Sequence, residues 1–150
     1  VYRYGLDYIP PTHELYTEYV PNTREYRVHV YRDRAIRIQG KYLDYPEQNT
    51  NPYIKNHAQG YRFRTPRLQL RPNRVEDAIR AVHSVGLVYG AVDLIVTAEG
   101  EHKILEVNSA PAMSPLTLKA YAEAIAEELE LDVNYRYLDS LQSRGSGYDG

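Results

Sequence analysis

The sequence predicts an α+β fold, an antiparallel sheet flanked by helices, from three observations. "EYRVHVYRDRAIRIQGKYL" and "AVDLIVTAEGEHKILEVN" each read as two alternating apolar runs around a short polar turn, the pattern of a β-hairpin. "NRVEDAIRAVHSVG" and "LTLKAYAEAIAEELEL" repeat their apolar residues at helical spacing. The order strands, helix, hairpin, helix lacks the βαβ alternation of a parallel sheet, and no internal repeat interrupts it. The chain has 150 residues, enough for one domain, or two small lobes, with a real core.

Residues 1–14 form an irregular lead-in broken at Pro10 and Pro11. "LYTEYV" follows as a short strand ended by the turn "PNTR". The first hairpin places Tyr26, Val28 and Val30 on one face and Glu25, Arg27, His29 and Tyr31 on the other, with "RDR" as its turn. From Asp44 to Thr65 the chain is polar with little periodicity, and a loop of that length is usually functional or disordered. The first helix has Asn73 and Glu76 in capping-box spacing, a buried stripe of Val75, Ala78, Ile79 and Val82, and Gly86 as its left-handed stop. The second opens on Ser114 and Pro115, a cap and first-turn pair. Residues 132–150 read as a polar tail, "LDSLQSRGSGYDG" having nothing to pack. The fold proper is therefore placed at 15–131.

Bulk properties exclude several functions. A net charge of −2 gives no footprint for nucleic acid or an anionic membrane. No apolar run approaches the roughly 18 residues of a membrane span, and no signal peptide opens the chain. The absence of cysteine removes disulfides, thiolate zinc sites and a cysteine nucleophile, and fits a cytoplasmic location. Aromatic content is 16 Tyr against one Phe and no Trp, which has no physical account at this level. The opening on Val1 rather than Met is read as a fragment or a processed product.

The chemistry concentrates in the second hairpin. With Thr97 opposite His102, Asp93 falls directly opposite Glu106. Asp93, Ile95, Ile104, Glu106 and Asn108 then share one face, and Leu94, Val96, Leu105 and Val107 the other. Opposed like charges destabilise a sheet. A cation between the strands would resolve the clash; so would pairing with Lys103, or exposure of a polar sheet face to water. Magnesium suits the donor set, because it takes oxygen ligands and keeps only one or two carboxylates while leaving positions for water and phosphate.

"GLVYGAVDLIVTAEGEHKILEVNSAPAMSP" resembles the C-terminal metal-binding hairpin of the ATP-grasp enzymes, which include D-alanine–D-alanine ligase, the ribosomal-protein glutamate ligases and related phage-encoded proteins. "LYTEYVPNTREYRVHVYRDRAIRIQGKYL" is similar to that family's hinge strand and following hairpin. The resemblance implies the second lobe of the ATP-grasp fold, with ATP and Mg²⁺ (or Mn²⁺) as ligands. It implies Asp93, Glu106 and Asn108 as metal ligands; Glu18, Tyr19 and Val20 facing the adenine; and Glu25 on the ribose hydroxyls. Arg27 is implied at phosphate or the acyl group as the catalytic residue, with Lys41 reaching phosphate if it is not simply solvated; an ordinary cross-strand or same-face ion pair is the alternative for Glu25 and Arg27. Asn56, His57, Arg62 and Ser114 are candidates on the substrate side. His13, His29, His83 and His102 have no metal-ligand spacing and read as structural.

The implied reaction is an ADP-forming ligation of a carboxylate to an amine through an acylphosphate. Its acceptor pair is unspecified, and the first grasp lobe would come from a missing segment, a separate chain or a second copy. The alternatives are a solitary lobe retained as a binding or assembly module, and an inactive fragment.

Overall fold

The computed structural model describes residues 17–144, and side chains as far as residue 140. Five strands form one antiparallel sheet: β1 (Arg24–Tyr31), β2 (Arg34–Leu43), β3 (Tyr61–Arg64), β4 (Tyr89–Val96) and β5 (His102–Asn108). Their order across the sheet is β3-β2-β1-β4-β5. The helices are α1 (Pro72–Ser84), α2 (Pro115–Leu129) and α3 (Tyr135–Arg144). The α+β class expected from the element order is the one observed.

The core lies between the sheet and α1. Tyr26, Val28 and Val30 of β1 meet Val92, Leu94 and Val96 of β4, and Ala78 and Val82 of α1 close over them, all buried. Val75 and Ile79 pack at the margin, so the predicted helical stripe is the packed one. The alternation that buries the apolar side of β1 sends Glu25, Arg27 and His29 to the opposite face. There α2 packs over the end nearest the β1–β2 turn: Tyr31 Oη donates to Glu128 at 2.7 Å and Arg34 pairs with Glu127 at 2.5 Å.

Five local expectations differ from the structure. The strand at "LYTEYV" is absent from its described part, since 17–20 has no regular structure, while Leu15 and Tyr16 lie outside the described residues. The α1 helix begins at Pro72 with Arg71 as N-cap and no side-chain cap bond; proline's fixed φ suits the first turn, which draws the start ahead of Asn73. The polar stretch 44–65 is not all loop. It contains short 3-10 turns at Pro46–Gln48 and His57–Gln59 and then β3, whose four residues are too few for periodicity to reveal. Residues 135–144 form α3, with Leu138 buried, although the stretch read as unpackable tail. The fifth difference, at the β4–β5 turn, concerns the site. His13 and the lead-in lie outside the described residues.

Two helix ends follow expectation. Gly86 takes φ +74° after α1, and its N–H donates to His83 O at 2.9 Å. Ser114 caps α2 by accepting from Thr117 N at 3.3 Å.

Candidate functional site

Strand register arranges the face opposite α1 in rows. Lys41 of β2 stands opposite Phe63 of β3, and Glu25 of β1 opposite Ile95 of β4. The next row runs Gln39, Arg27, Asp93, Glu106. Beyond it runs Arg37, His29, Ala91, Asn108. Asp93 and Glu106 are thus directly opposed, as the sequence suggested. The turn is set differently: Val96, not Thr97, faces His102, and the register shifts by one between Asp93 and Leu94. Leu105 is the extra residue of this bulge, which moves Ile104 opposite Leu94 and away from the acidic face. A bulge re-aims side chains and increases local twist, and here it sits beside the opposed carboxylates.

The clash of Asp93 and Glu106 is relieved from inside the chain. Arg27 grips Asp93 in a two-pronged bond, Nε to Oδ1 at 2.7 Å and Nη2 to Oδ2 at 2.8 Å. The side chains are only 16% and 11% exposed, so the pair is largely removed from water. Burial alone would pull the Arg27 pKa down, but the bonds to Asp93 and the charges of Asp93 and Glu106 outweigh it and leave it raised. Glu106 accepts from Asn108 Nδ2 at 2.8 Å through Oε1, a contact that uses neither Glu106 Oε2 nor Asn108 Oδ1.

Glu25 has two cations. Lys41 Nζ lies 2.8 Å from Oε2 and Lys55 Nζ 3.1 Å from Oε1. Lys55 also donates to Asn22 Oδ1 at 2.5 Å, tying the 44–60 segment to the chain entering β1. Lys41 is therefore an ion-paired, mostly buried lysine and not a solvated one. Neither Glu25 nor Arg27 pairs with the other. Phe63, the only phenylalanine, carries both cations on its ring, with the Arg27 guanidinium 4.3 Å and the Lys41 ammonium 5.2 Å from its centroid. Phe63 and Lys55 escaped sequence reasoning because β3 and its approach were hidden in the polar stretch, and Asn22 read only as part of the turn before β1. The lone Phe among 16 Tyr was the signal that could have found it.

His29 is fully buried, with Nε2 2.9 Å from Gln39 Oε1 and Nδ1 3.4 Å from the Tyr121 hydroxyl, which donates to Gly90 O at 3.1 Å. Burial first, then the positive charges of Arg27 and Arg37, push its pKa down to about 4 against the Gln39 bond. It is a neutral, structural imidazole near pH 7. His102 lies 2.7 Å from Asp77 of α1, away from this face, and His83 Nε2 contacts Arg32 O at 3.0 Å.

The other candidates sit at the periphery. Glu18 and Tyr19 are exposed and Val20 half-buried, and the Tyr19 ring meets Tyr53 edge-on at 5.5 Å. Asn56 caps the 3-10 turn at His57 by accepting from Gln59 N at 3.0 Å. Arg62 donates to His57 O and Tyr61 O, both at 2.8 Å, and lies over Tyr45. Strand alternation puts Arg62 on the face away from Phe63. Ser114 serves as the α2 cap.

Among the described residues no group of three His, Cys, Asp or Glu side chains is placed to hold a metal. The available donor set is two carboxylates and an amide, all hard oxygen donors. It fits a magnesium ion shared with phosphate oxygens and water in ligand type and number. Arg27 takes one bond to each Asp93 oxygen, which leaves each a second lone pair for a metal.

No protein-family model matches the chain, and no curated protein matches it. Solved structures do. The ATP-grasp ligase PsnB, complexed with a phosphomimetic variant of minimal precursor, Mg and ADP, is similar over 85% of this chain and 34% of its own, at 16% identity and a TM-score of 0.47. Macrocyclase MdnB from Microcystis aeruginosa MRC is similar over 84% of this chain and 40% of its own, at 18% identity and a TM-score of 0.45. A RiPP-associated ATP-grasp ligase of Chryseobacterium gregarium, in complex with ADP and a leader and core peptide, is similar over 62% and 27%, at 18% identity and a TM-score of 0.43. The chain spans 27% to 40% of the length of these structures. At TM-scores below 0.5 the likenesses assign neither ligand nor activity to it. No helix among the described residues is long and apolar enough to cross a membrane.

Proposed function

We propose that this chain is the ATP- and magnesium-binding half of an ADP-forming carboxylate–amine ligase of the ATP-grasp type, acting through an acylphosphate. The observation that carries the proposal is the opposed Asp93–Glu106 pair with Asn108 one row on and Arg27 and Glu25 on the same face. A bound magnesium ion would offset phosphate charge there, held by Glu106, Asn108 and Asp93. Arg27 would exchange Asp93 for phosphate oxygens, keeping its bidentate geometry on the new partner. Glu25, with about four lone-pair sites, can keep both lysines and still accept from ribose hydroxyls. Lys41, on the same face, is near enough to Glu25 to add charge toward the phosphates. Adenine would lie against 18–20.

In the reaction the γ-phosphoryl group of ATP passes to a carboxylate oxygen, giving ADP and an acylphosphate. The amine nitrogen then forms the C–N bond, inorganic phosphate leaves, and the amine loses a proton. Arg27 would stabilise charge on the transferring phosphoryl group and on the tetrahedral intermediate, so positioning and electrostatics carry the chemistry. The carboxylate, the amine and the source of the first lobe belong to the complete enzyme. We place Asn56, His57 and Ser114 on its substrate side, and leave Arg62 out because it lies on the other face of the sheet.

One observation favours a second reading, a non-catalytic binding module: every acidic group of the Arg27 and Glu25 rows already has a partner within the chain. Manganese broadening decides between them. With a non-hydrolysable ATP analogue present, Mn²⁺ should broaden the amide resonances of Asp93, Glu106 and Asn108 before others. Uniform broadening would favour the module.

A further inference from the structure

We propose that Arg37 is an anion-recognition residue, taking a carboxylate or phosphate oxygen on the sheet face beside the Arg27–Asp93 row. The other cations of this face each have a carboxylate: Arg27 has Asp93, and Lys41 and Lys55 share Glu25. Arg37 stands opposite His29 in the adjoining row, and among the described residues its side chain has no ion pair or hydrogen bond. Its Nε is buried with no acceptor.

A guanidinium with a buried, unused N–H is a costly group to keep unless something supplies the acceptor. Its row neighbours do not. His29 is neutral and already bonded to Gln39. Ala91, next in the row, has no polar side chain. Arg74 is a useful contrast. Its Nε is also buried and unpaired, but its Nη2 donates to Gly100 O at 2.8 Å on the α1 side, so that guanidinium is anchored. Burial pulls the Arg37 pKa down with no opposing contact, as expected of an unneutralised charge. The planar fork of arginine suits two-oxygen anions, which narrows the ligand chemistry to carboxylate or phosphate. The proposal requires no nucleotide, and it stands or falls separately from the ligase reading.

The test is a titration of the full chain, following the arginine Nε–Hε resonances by NMR. Inorganic phosphate and acetate are added in separate arms, each against chloride at equal ionic strength. The Arg37 resonance should move along a saturable curve in the millimolar range, a Kd that corresponds to weak recognition by a single charged group. The same anion should raise the thermal midpoint of the wild type, as any ligand of the native state does, and not that of Arg37→Met. Arg37→Lys should recover part of the rise. Response to phosphate alone identifies a phosphoryl site, and an equal or larger response to acetate a carboxylate site. A shift no greater than that in chloride, or an equal thermal rise in Arg37→Met, overturns the proposal. If Arg37→Met does not fold, the wild-type titration alone decides. An anion response without ATP binding would keep Arg37 and remove the ligase reading; ATP binding without it would do the reverse.

Discussion

Arg27 and Asp93 hold the balance of the site. Each is nearly buried, so removing either partner alone leaves a charge with little water to solvate it. A double-mutant cycle with Arg27→Met and Asp93→Asn, followed by urea unfolding, is expected to give a coupling of about 2–3 kcal/mol. A coupling near zero would mean the pair is open to solvent. His29 makes a pH prediction with a definite sign. Its folded pKa of about 4 lies below the ordinary 6.5, so the unfolded chain binds the proton more tightly. Its contribution to stability is complete above pH 6.5 and is lost as pH falls toward 4, by about 3 kcal/mol in total. Replacing His29 by Gln should flatten that part of the stability–pH curve, measured by denaturant unfolding between pH 4 and 7.

The segment 44–60 delivers β3, and with it Phe63, to the site. It closes through Asp44 N and Tyr45 N, which donate to Gly60 O at 3.0 and 3.1 Å. Gly60 has φ +83°, and a Cβ there would lie 2.1 Å from Tyr45 O, a backbone atom that cannot step aside. Gly60→Ala should therefore cost more than about 2 kcal/mol and raise hydrogen exchange at Tyr61–Arg64 before the rest of the sheet. Leu138→Ala should cost about 2 kcal/mol by removing a buried side chain of α3, read from the shift in urea midpoint.

These elements also mark where the sequence was legible. Both hairpins and the two longer helices stood out because seven or more residues repeated one period with turn or cap residues at their ends. β3 did not, because four residues cannot establish a period and their partner strand is distant in sequence. α3 was hidden by polar composition, since its burial depends on one leucine meeting α2. The acidic pair was found because the bulge at Leu105 offsets the one-residue error in the turn. Arg27 as the partner of Asp93 was not, because β1 and β4 are brought together only by the fold.

Across the whole molecule, the sheet separates two tasks. The α1 side carries the apolar core that stabilises the fold. The opposite side gathers Glu25, Arg27, Lys41, Asp93, Glu106 and Asn108 from four strands onto one surface. The chain's small net charge conceals this concentration, since acids and bases both gather there. A nucleotide site built in this way must exchange internal ion pairs for ligand contacts, so affinity is expected to be modest and strongly magnesium-dependent. Calorimetric binding of Mg-ATP to the full chain, beside Asp93→Asn/Glu106→Gln, tests this most directly. The account predicts saturable binding that requires magnesium and is lost in the double variant while the fold is retained. Absence of binding at millimolar Mg-ATP, or equal binding by the double variant, would contradict it.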